Sequence, residues 1–385
     1  MNQIRNDAEI VMKPTFAQAI VAWQKTHGRH DLPWQNTRDP YKVWLSEIML
    51  QQTQVVTVKD YFARFLAAHP TVASLANASL DDVLALWSGL GYYSRARNMH
   101  RCAQEVVALH GGAFPKTAEV LQTLPGIGPS TAAAVASLCF SERVAILDGN
   151  VKRVLTRLLS FDADLAKSAN EKALWQLANE VLPNPKNKDD LWTAMPHYTQ
   201  GVMDLGATLC TTRKPNCLLC PVANHCAAKK LGTPEAFPVK TKTLKRSSES
   251  LWLLWAKRPD GAVYLEQRPT PGVWAGLYCL PVFASFEALM GALQPDEVSK
   301  LVEQSVFKHV LTHKDLHLHP VILDVAAKTD FSKIQGQWFD QATWEKLGLP
   351  APVRKLLEAD TVNLPNEETR AAMLESRALM ASRRR

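Results

Sequence analysis

The chain has 385 residues, 46% of them apolar and 21% charged, which excludes both a minimal single module and a disordered tract and leaves room for two domains with separate cores. There is no run of eighteen apolar residues, and the first segment, MNQIRNDAEIVMK, mixes charge with apolar positions, so neither a membrane span nor a secretory leader is expected. A net charge of +7 with seven cysteines, four of them crowded together, argues against a disulfide framework and suits a soluble, cytoplasmic protein with a polyanionic partner.

From about residue 15 to 228 apolar residues recur at helical spacing, and this half is expected to be all α. In VWLSEIMLQQTQVV the helical period sets Glu47 beside Val43, Trp44, Leu50 and Gln51; desolvation there raises a carboxyl pKa and lets the acid hold a proton near neutral pH. Basic residues then gather in YYSRARNMHR (92–101). LPGIGPSTAAAVASL (124–138) has a turn, two glycines one residue apart, a hydroxyl pair and an alanine-rich helix. Gly126 and Gly128 are expected to adopt angles closed to other residues and to aim amides at a phosphate from a helix N-terminus. Asp148 follows the apolar run VAIL and precedes GNVKRVL, where Val151, Val154, Leu155 and Leu158 share a face, so it stands at a helix start and suits an N-cap.

The segment CTTRKPNCLLCPVANHC places Cys210, Cys217, Cys220 and Cys226 with six, two and five residues between them. Thiolates so spaced can surround one metal centre, zinc or iron–sulfur; only Cys217 and Cys220 form a zinc-type knuckle, which favours a single loop around one [4Fe–4S] cluster. Ligation would hold Arg213 and Lys214 outward on a stiff, phosphate-seeking loop. The other cysteines, Cys102, Cys139 and Cys279, read as buried small residues.

Residues 229–250 carry Pro, Gly, Ser and basic side chains without an apolar period, the composition of a linker. Beyond it LWLLWAK, AVYLEQR, LYCLP and HLHPVILDV are β-prone runs separated by turn chemistry, with a helical FEALMGALQ among them, so 251–360 is expected to be an α+β domain. His317 and His319 alternate with Leu316 and Leu318 as one face of a strand does. Residues 361–385 form a tail of unknown role, ending in SRRR.

Together, EIMLQQTQV, LPGIGPSTA, LDGNVKRV and the 6-2-5 cysteine loop, in that order, resemble the helix-hairpin-helix DNA glycosylase superfamily and within it the MutY-type adenine DNA glycosylases, over roughly residues 15–355. The resemblance implies an enzyme of base-excision repair that hydrolyses adenine from double-stranded DNA where it stands opposite 8-oxoguanine, and also opposite guanine. It implies that Glu47 protonates the base, that Asp148 stabilises the sugar cation and that Asn150 orients it. It also assigns Gln51, Gln52 and Tyr92 to the base stack or the lesion, Gly126, Gly128 and Ser130 to the hairpin, and Gln200 to the adenine. Related endonuclease III enzymes carry a nucleophilic lysine where this chain has Ser130, so mainly monofunctional chemistry is implied.

The second domain separates those two branches, because GVWAGLYCLP (272–281) resembles the Nudix-like domain with which MutY proteins contact 8-oxoguanine. Its lesion-reading triplet is Leu311, Thr312 and His313 here, in place of Phe-Ser-His. A magnesium-binding Nudix helix is rich in glutamate, whereas this one has Glu287 alone, which speaks against pyrophosphate hydrolysis. The chain is expected to act as a monomer without a membrane partner. The rival readings are an endonuclease III-type enzyme, opposed by Ser130, a non-catalytic DNA-binding protein, opposed by the two acids, and a Nudix hydrolase.

Overall fold

The computed structural model describes residues 15–184, 188–241, 246–329 and 331–362. The basic run 240–246 therefore lies largely outside the described residues, as do most of the 361–385 tail and its SRRR. No described helix is long and apolar enough to cross a membrane. The chain divides into two compact units, one of residues 1–78 with 94–243 and one of 79–93 with 244–385.

The first unit is helical throughout. Its core is a continuous apolar cluster that joins Ile20, Ala134, Leu147, Val151, Leu155, Leu174, Met195, Val202 and Leu205. Local chemistry explains the helix ends near the chemistry-bearing residues. Asp39 accepts the Tyr41 amide at 2.9 Å and Pro40 occupies the first turn of Pro40–Leu50, which buries Val43, Trp44, Leu45, Ile48 and Met49. At the other end of that helix Arg95 donates through Nη1 to the carbonyls of Ile48 (3.0 Å), Met49 (2.9 Å) and Gln51 (2.5 Å), closing it with charge-assisted bonds. Arg95 belongs to the basic run 92–101, and it serves the fold there.

The linker expected at 229–250 is only partly one. Helix Ala227–Lys230 and the turn Pro234–Ala236 precede a stretch tied down by Leu165 N–H to the Val239 carbonyl (3.0 Å) and by the Thr241 amide to Asp164 (3.1 Å). A strand already begins at Ser247.

In the second unit, strands Ser247–Lys257 and Lys314–Asp324 pair in parallel over their full length at the centre of an eight-stranded sheet among the described residues. Their inward side chains, Leu254, Ala256, Val321 and Leu323, pack with Tyr264, Leu289 and Phe331. Leu316 and Leu318 are fully buried, while His317 and His319 lie on the half-exposed face. The helix Leu80–Trp87 and the turn after it, which precede this unit by over 150 residues, cluster with it: the Ser88 hydroxyl donates to the Leu349 carbonyl at 2.9 Å.

Candidate active site and cysteine cavity

Glu47 and Asp148 line one cavity of about 200 Å³ in the helical unit, together with Asn150 and Gln200. Leu32, Trp34, Val43, Leu50, Val55 and Met203 form its apolar walls. Burial among them pushes the Glu47 carboxyl up to about 7, and the facing Asp148 carboxylate pushes it the same way. Asp148 caps the helix Gly149–Leu159 by accepting the Val151 amide at 2.7 Å. Burial raises its pKa too, but amide bonds from Val151 and Asn150 and the charges of Arg153 and Lys152 oppose the rise. Two carboxyl groups raised by burial therefore share one cavity, and at Asp148 hydrogen bonds and nearby cations limit the rise.

Asn150 is fixed from behind. Its Oδ1 accepts from Arg153 Nη2 at 2.7 Å, which leaves the amide's NH₂ as the donor it can offer elsewhere. Helix Lys188–Thr208 presses so close that a Cβ on Gly206 would lie 2.7 Å from that of Asn150. Arg153 also donates to the carbonyls of Gly206 and Cys210, both at 2.7 Å.

Two residues of this site escaped sequence reasoning. Asp204, fully buried, takes the guanidinium of Arg29 at 2.7 Å and the Arg29 amide at 3.0 Å, and Arg29 lines the cavity. The signal was present: one acid inside GVMDLG, four residues after Gln200 on a helix whose neighbouring positions are buried.

The hairpin divides its roles differently from expectation. Gly126 is left-handed, with φ 76°, and a Cβ there would stand 2.7 Å from that of Asn98. Gly128 has ordinary extended angles as the N-cap of Pro129–Phe140, and a Cβ there meets nothing within 4 Å. Only one of the two glycines thus needs unusual backbone angles. Ser130 Oγ accepts the Leu147 amide at 3.1 Å, tying the hairpin to the run that delivers Asp148. Gln51 reaches Thr131 Oγ1 through Nε2 at 3.3 Å, and Gln52 has a left-handed backbone, φ 58°. None of Gln51, Gln52, Ser130 and the hairpin glycines lines the acid cavity.

In the second unit Tyr92, left-handed at φ 49° and 40% exposed, hydrogen-bonds through its hydroxyl to Thr312 Oγ1. The Thr312 carbonyl accepts from Arg246 Nη1 at 3.0 Å; Thr312 and His313 are both exposed.

Cys210, Cys217, Cys220 and Cys226 line a second cavity of the helical unit, walled by Leu205, Leu209 and Val222. Burial raises the Cys220 thiol to about 11, and the other three cysteines add to the rise. Arg157, 2% exposed, ties the loop together by donating to Cys210 Sγ (3.3 Å) and to the carbonyls of Thr211 (2.7 Å), Thr212 (3.0 Å) and Phe237 (3.2 Å). Among the described residues no three His, Cys, Asp or Glu groups converge on a single-ion site. Four soft sulfur donors around one apolar-walled void, with a buried cation behind them, fit a multinuclear iron–sulfur group. Arg213 and Lys214 are exposed on this loop, and the Lys214 amide donates to Glu235 at 2.9 Å.

Residues 45–180 match the model of the HhH-GPD superfamily base excision DNA repair proteins, and residues 252–359 match the NUDIX domain. The chain is 35% identical over 350 residues to the adenine DNA glycosylase of Buchnera aphidicola subsp. Acyrthosiphon pisum, covering 90% of this chain and 97% of that protein. It is 43% identical over 230 residues to the adenine DNA glycosylase of Rattus norvegicus and 41% over 234 to that of Homo sapiens, covering 57% and 58% of this chain and 43% and 41% of those proteins. With both halves matched in order and a relative similar along nearly its whole length, the chain belongs to the adenine DNA glycosylases, enzymes of base-excision repair.

Proposed function

We propose that this enzyme removes adenine from double-stranded DNA where it is paired with 8-oxoguanine, and with guanine, by mainly monofunctional hydrolysis. The observation that carries the reading is the pair Glu47 and Asp148 in one base-sized cavity, with Glu47 poised to be half protonated near pH 7. A base inside the duplex is out of reach, so the nucleotide turns out of the stack at a cost of about a few kcal/mol. Phosphate contacts offset that cost. The amides at the start of Pro129–Phe140, with Gly126 shaping the turn and Gly128 leaving its outer side open, and the exposed Arg213 and Lys214 are the groups for them.

Protonated Glu47 donates to N7 of adenine, and the C1′–N9 bond breaks with its electron pair leaving on the base. Asp148 then faces the positive charge that develops on the sugar, through space or as a transient adduct, and Asn150 holds the sugar side. Ionised Glu47 takes a proton from the attacking water, which returns it to its starting state. Gln200 meets the adenine. Monofunctional chemistry follows from Ser130, whose hydroxyl already accepts from the Leu147 amide and which supplies no amine for a Schiff base.

The four cysteines would hold one [4Fe–4S] cluster, which when bound supplies the positive charge that lets four adjacent thiols ionise and stiffens the loop bearing Arg213 and Lys214. In the second unit, 251–360 serves as the 8-oxoguanine reader through Thr312 and His313 with Tyr92, while Gln51 and Gln52 attend the opened stack. The division proposed is a glycosylase domain over 1–228 and the reader over 251–360, joined by the partly structured segment 229–250, with residues 79–93 packed in the reader's unit. The protein works as a monomer, in the cytoplasm on nucleoid DNA. Single-turnover assays on adenine opposite 8-oxoguanine, adenine opposite guanine, and thymine glycol test this: rapid release on the first, slower on the second and no strand nicking on the third are expected. Thymine-glycol nicking would transfer the chain to the endonuclease III type.

A further inference from the structure

Resting on the reading of the 200 Å³ cavity as an adenine pocket, we propose that Asp204 is the positioning residue that makes this pocket select a 6-amino purine over a 6-keto purine. Asp204 itself does not line the cavity, and it is fully buried and bonded to two of the polar residues that do, Gln200 and Arg29. Its Oδ1 accepts from Gln200 Nε2 at 2.9 Å and from Arg29 Nε and Nη2, both at 2.7 Å, while its Oδ2 accepts the Arg29 amide at 3.0 Å.

The chemistry follows from what a carboxylate can do. A carboxylate paired with a guanidinium only accepts, so the Gln200 amide must turn one N–H of its NH₂ towards it, which sets the amide oxygen Oε1 on the opposite side as the acceptor offered to a base. The same carboxylate engages the Nε and Nη2 edge of Arg29 and leaves the outer N–H of Nη2 and those of Nη1 as donors. The pocket thus presents an acceptor and a donor with fixed polarity. A 6-amino purine carries a donor at the amine and an acceptor at the adjacent ring nitrogen of its pairing edge; hypoxanthine carries the reverse. A buried amide facing a carbonyl would leave both oxygens without a proton between them, and the penalty for unmatched buried groups is what gives polar sites their discrimination. Reversing the amide therefore reverses the preference, and the bond to Asp204 opposes the reversal.

Single-turnover base release measures this on duplexes with 8-oxoguanine opposite either adenine or hypoxanthine, for the wild type and for Asp204→Asn. An asparagine with its NH₂ at the Oδ1 position can donate to Gln200 Oε1, at the cost of the Arg29 Nε and Nη2 bonds, while its oxygen still accepts the Arg29 amide, so the Gln200 amide can turn over. The expected result is that adenine release falls while hypoxanthine release holds or rises, lowering the ratio of the two rates at least tenfold. Equal losses on both bases would overturn the proposal and leave Asp204 a structural residue. If Asp204→Asn fails to fold, as a melting curve will tell, Gln200→Met keeps the ion pair and deletes the amide; it should lower the same ratio, and an unchanged ratio overturns the proposal. A wild type that releases no adenine from either 8-oxoguanine or guanine pairs would sink the functional reading and this inference with it, whereas an active, unselective wild type sinks the inference alone.

Discussion

The two cavities of the helical unit are built in opposite ways. The four cysteines come from one seventeen-residue loop, Cys210 to Cys226, and burial raises the pKa of Cys220 and Cys226. The acid cavity is assembled from segments that reach from Arg29 to Ala207, and burial raises its carboxyls as well. The same physical term serves opposite ends. On the proposed function the retained proton is the useful species at Glu47 and the thiolate at the cysteines, where a positive centre among those side chains would bring them to the working state.

That contrast is broken most severely by removing the proton donor. Glu47→Gln should lower single-turnover adenine release by about 10³-fold or more, while affinity for the same duplex, read by gel shift, stays within a few-fold. Retained turnover would take Glu47 out of the acid role. At the other cavity, Cys217→Ser should lose the brown absorbance near about 400 nm and bind duplex about tenfold more weakly, since the loop bearing Arg213 and Lys214 loses its brace. An unchanged spectrum with stoichiometric zinc would contradict the cluster.

The contrast also explains what the sequence disclosed. Side chains that are neighbours in the chain carry their geometry in their spacing, so the gathering of the four cysteines around one cavity was legible from 6-2-5 alone. Glu47 and the helix start at Asp148 were visible as local oddities, an acid in an apolar helix and a cap after an apolar run, although their sharing a cavity depends on packing. Arg95 shows the limit of composition: it lies within the basic run 92–101, yet its guanidinium closes the helix that carries Glu47. Composition counts a charge but does not say which way it points. Residues 79–93 cluster with a unit that begins 150 positions later, a non-local pairing for which no periodicity is a signature. Asp204 could have been found from its burial pattern, but its partner Arg29 lies 175 positions away.

A smaller effect separates the two cavities by pH. Because the folded Glu47 pKa lies near 7, above its ordinary 4.5, the folded state holds a proton that the unfolded chain gives up first. Stability therefore falls as pH rises from about 4.5 to about 7, by on the order of 3 kcal/mol, at about 1.4 kcal/mol per pKa unit. Glu47→Gln removes that term, so its melting temperature should exceed the wild type's at pH 8 and match it more closely at pH 5. A gap that is the same at both values would mean that Glu47 is not held protonated. In the wild type the same titration should slow single-turnover release as pH rises through about 7.

The smallest effect expected lies in the hairpin, where two glycines one residue apart are needed for different reasons. At Gly126 an added methyl meets Asn98 and forces a left-handed backbone on a chiral residue, so Gly126→Ala should destabilise the protein by about 1–2 kcal/mol or more. At Gly128 the angles are ordinary and the methyl finds open space, so Gly128→Ala should leave the unfolding midpoint in denaturant within about 0.5 kcal/mol of the wild type. If that open space is where a phosphate approaches the amides at the start of Pro129–Phe140, the same methyl should weaken duplex binding a few-fold with the fold intact. Unaltered binding by a normally folded Gly128→Ala would move the phosphate elsewhere on the hairpin.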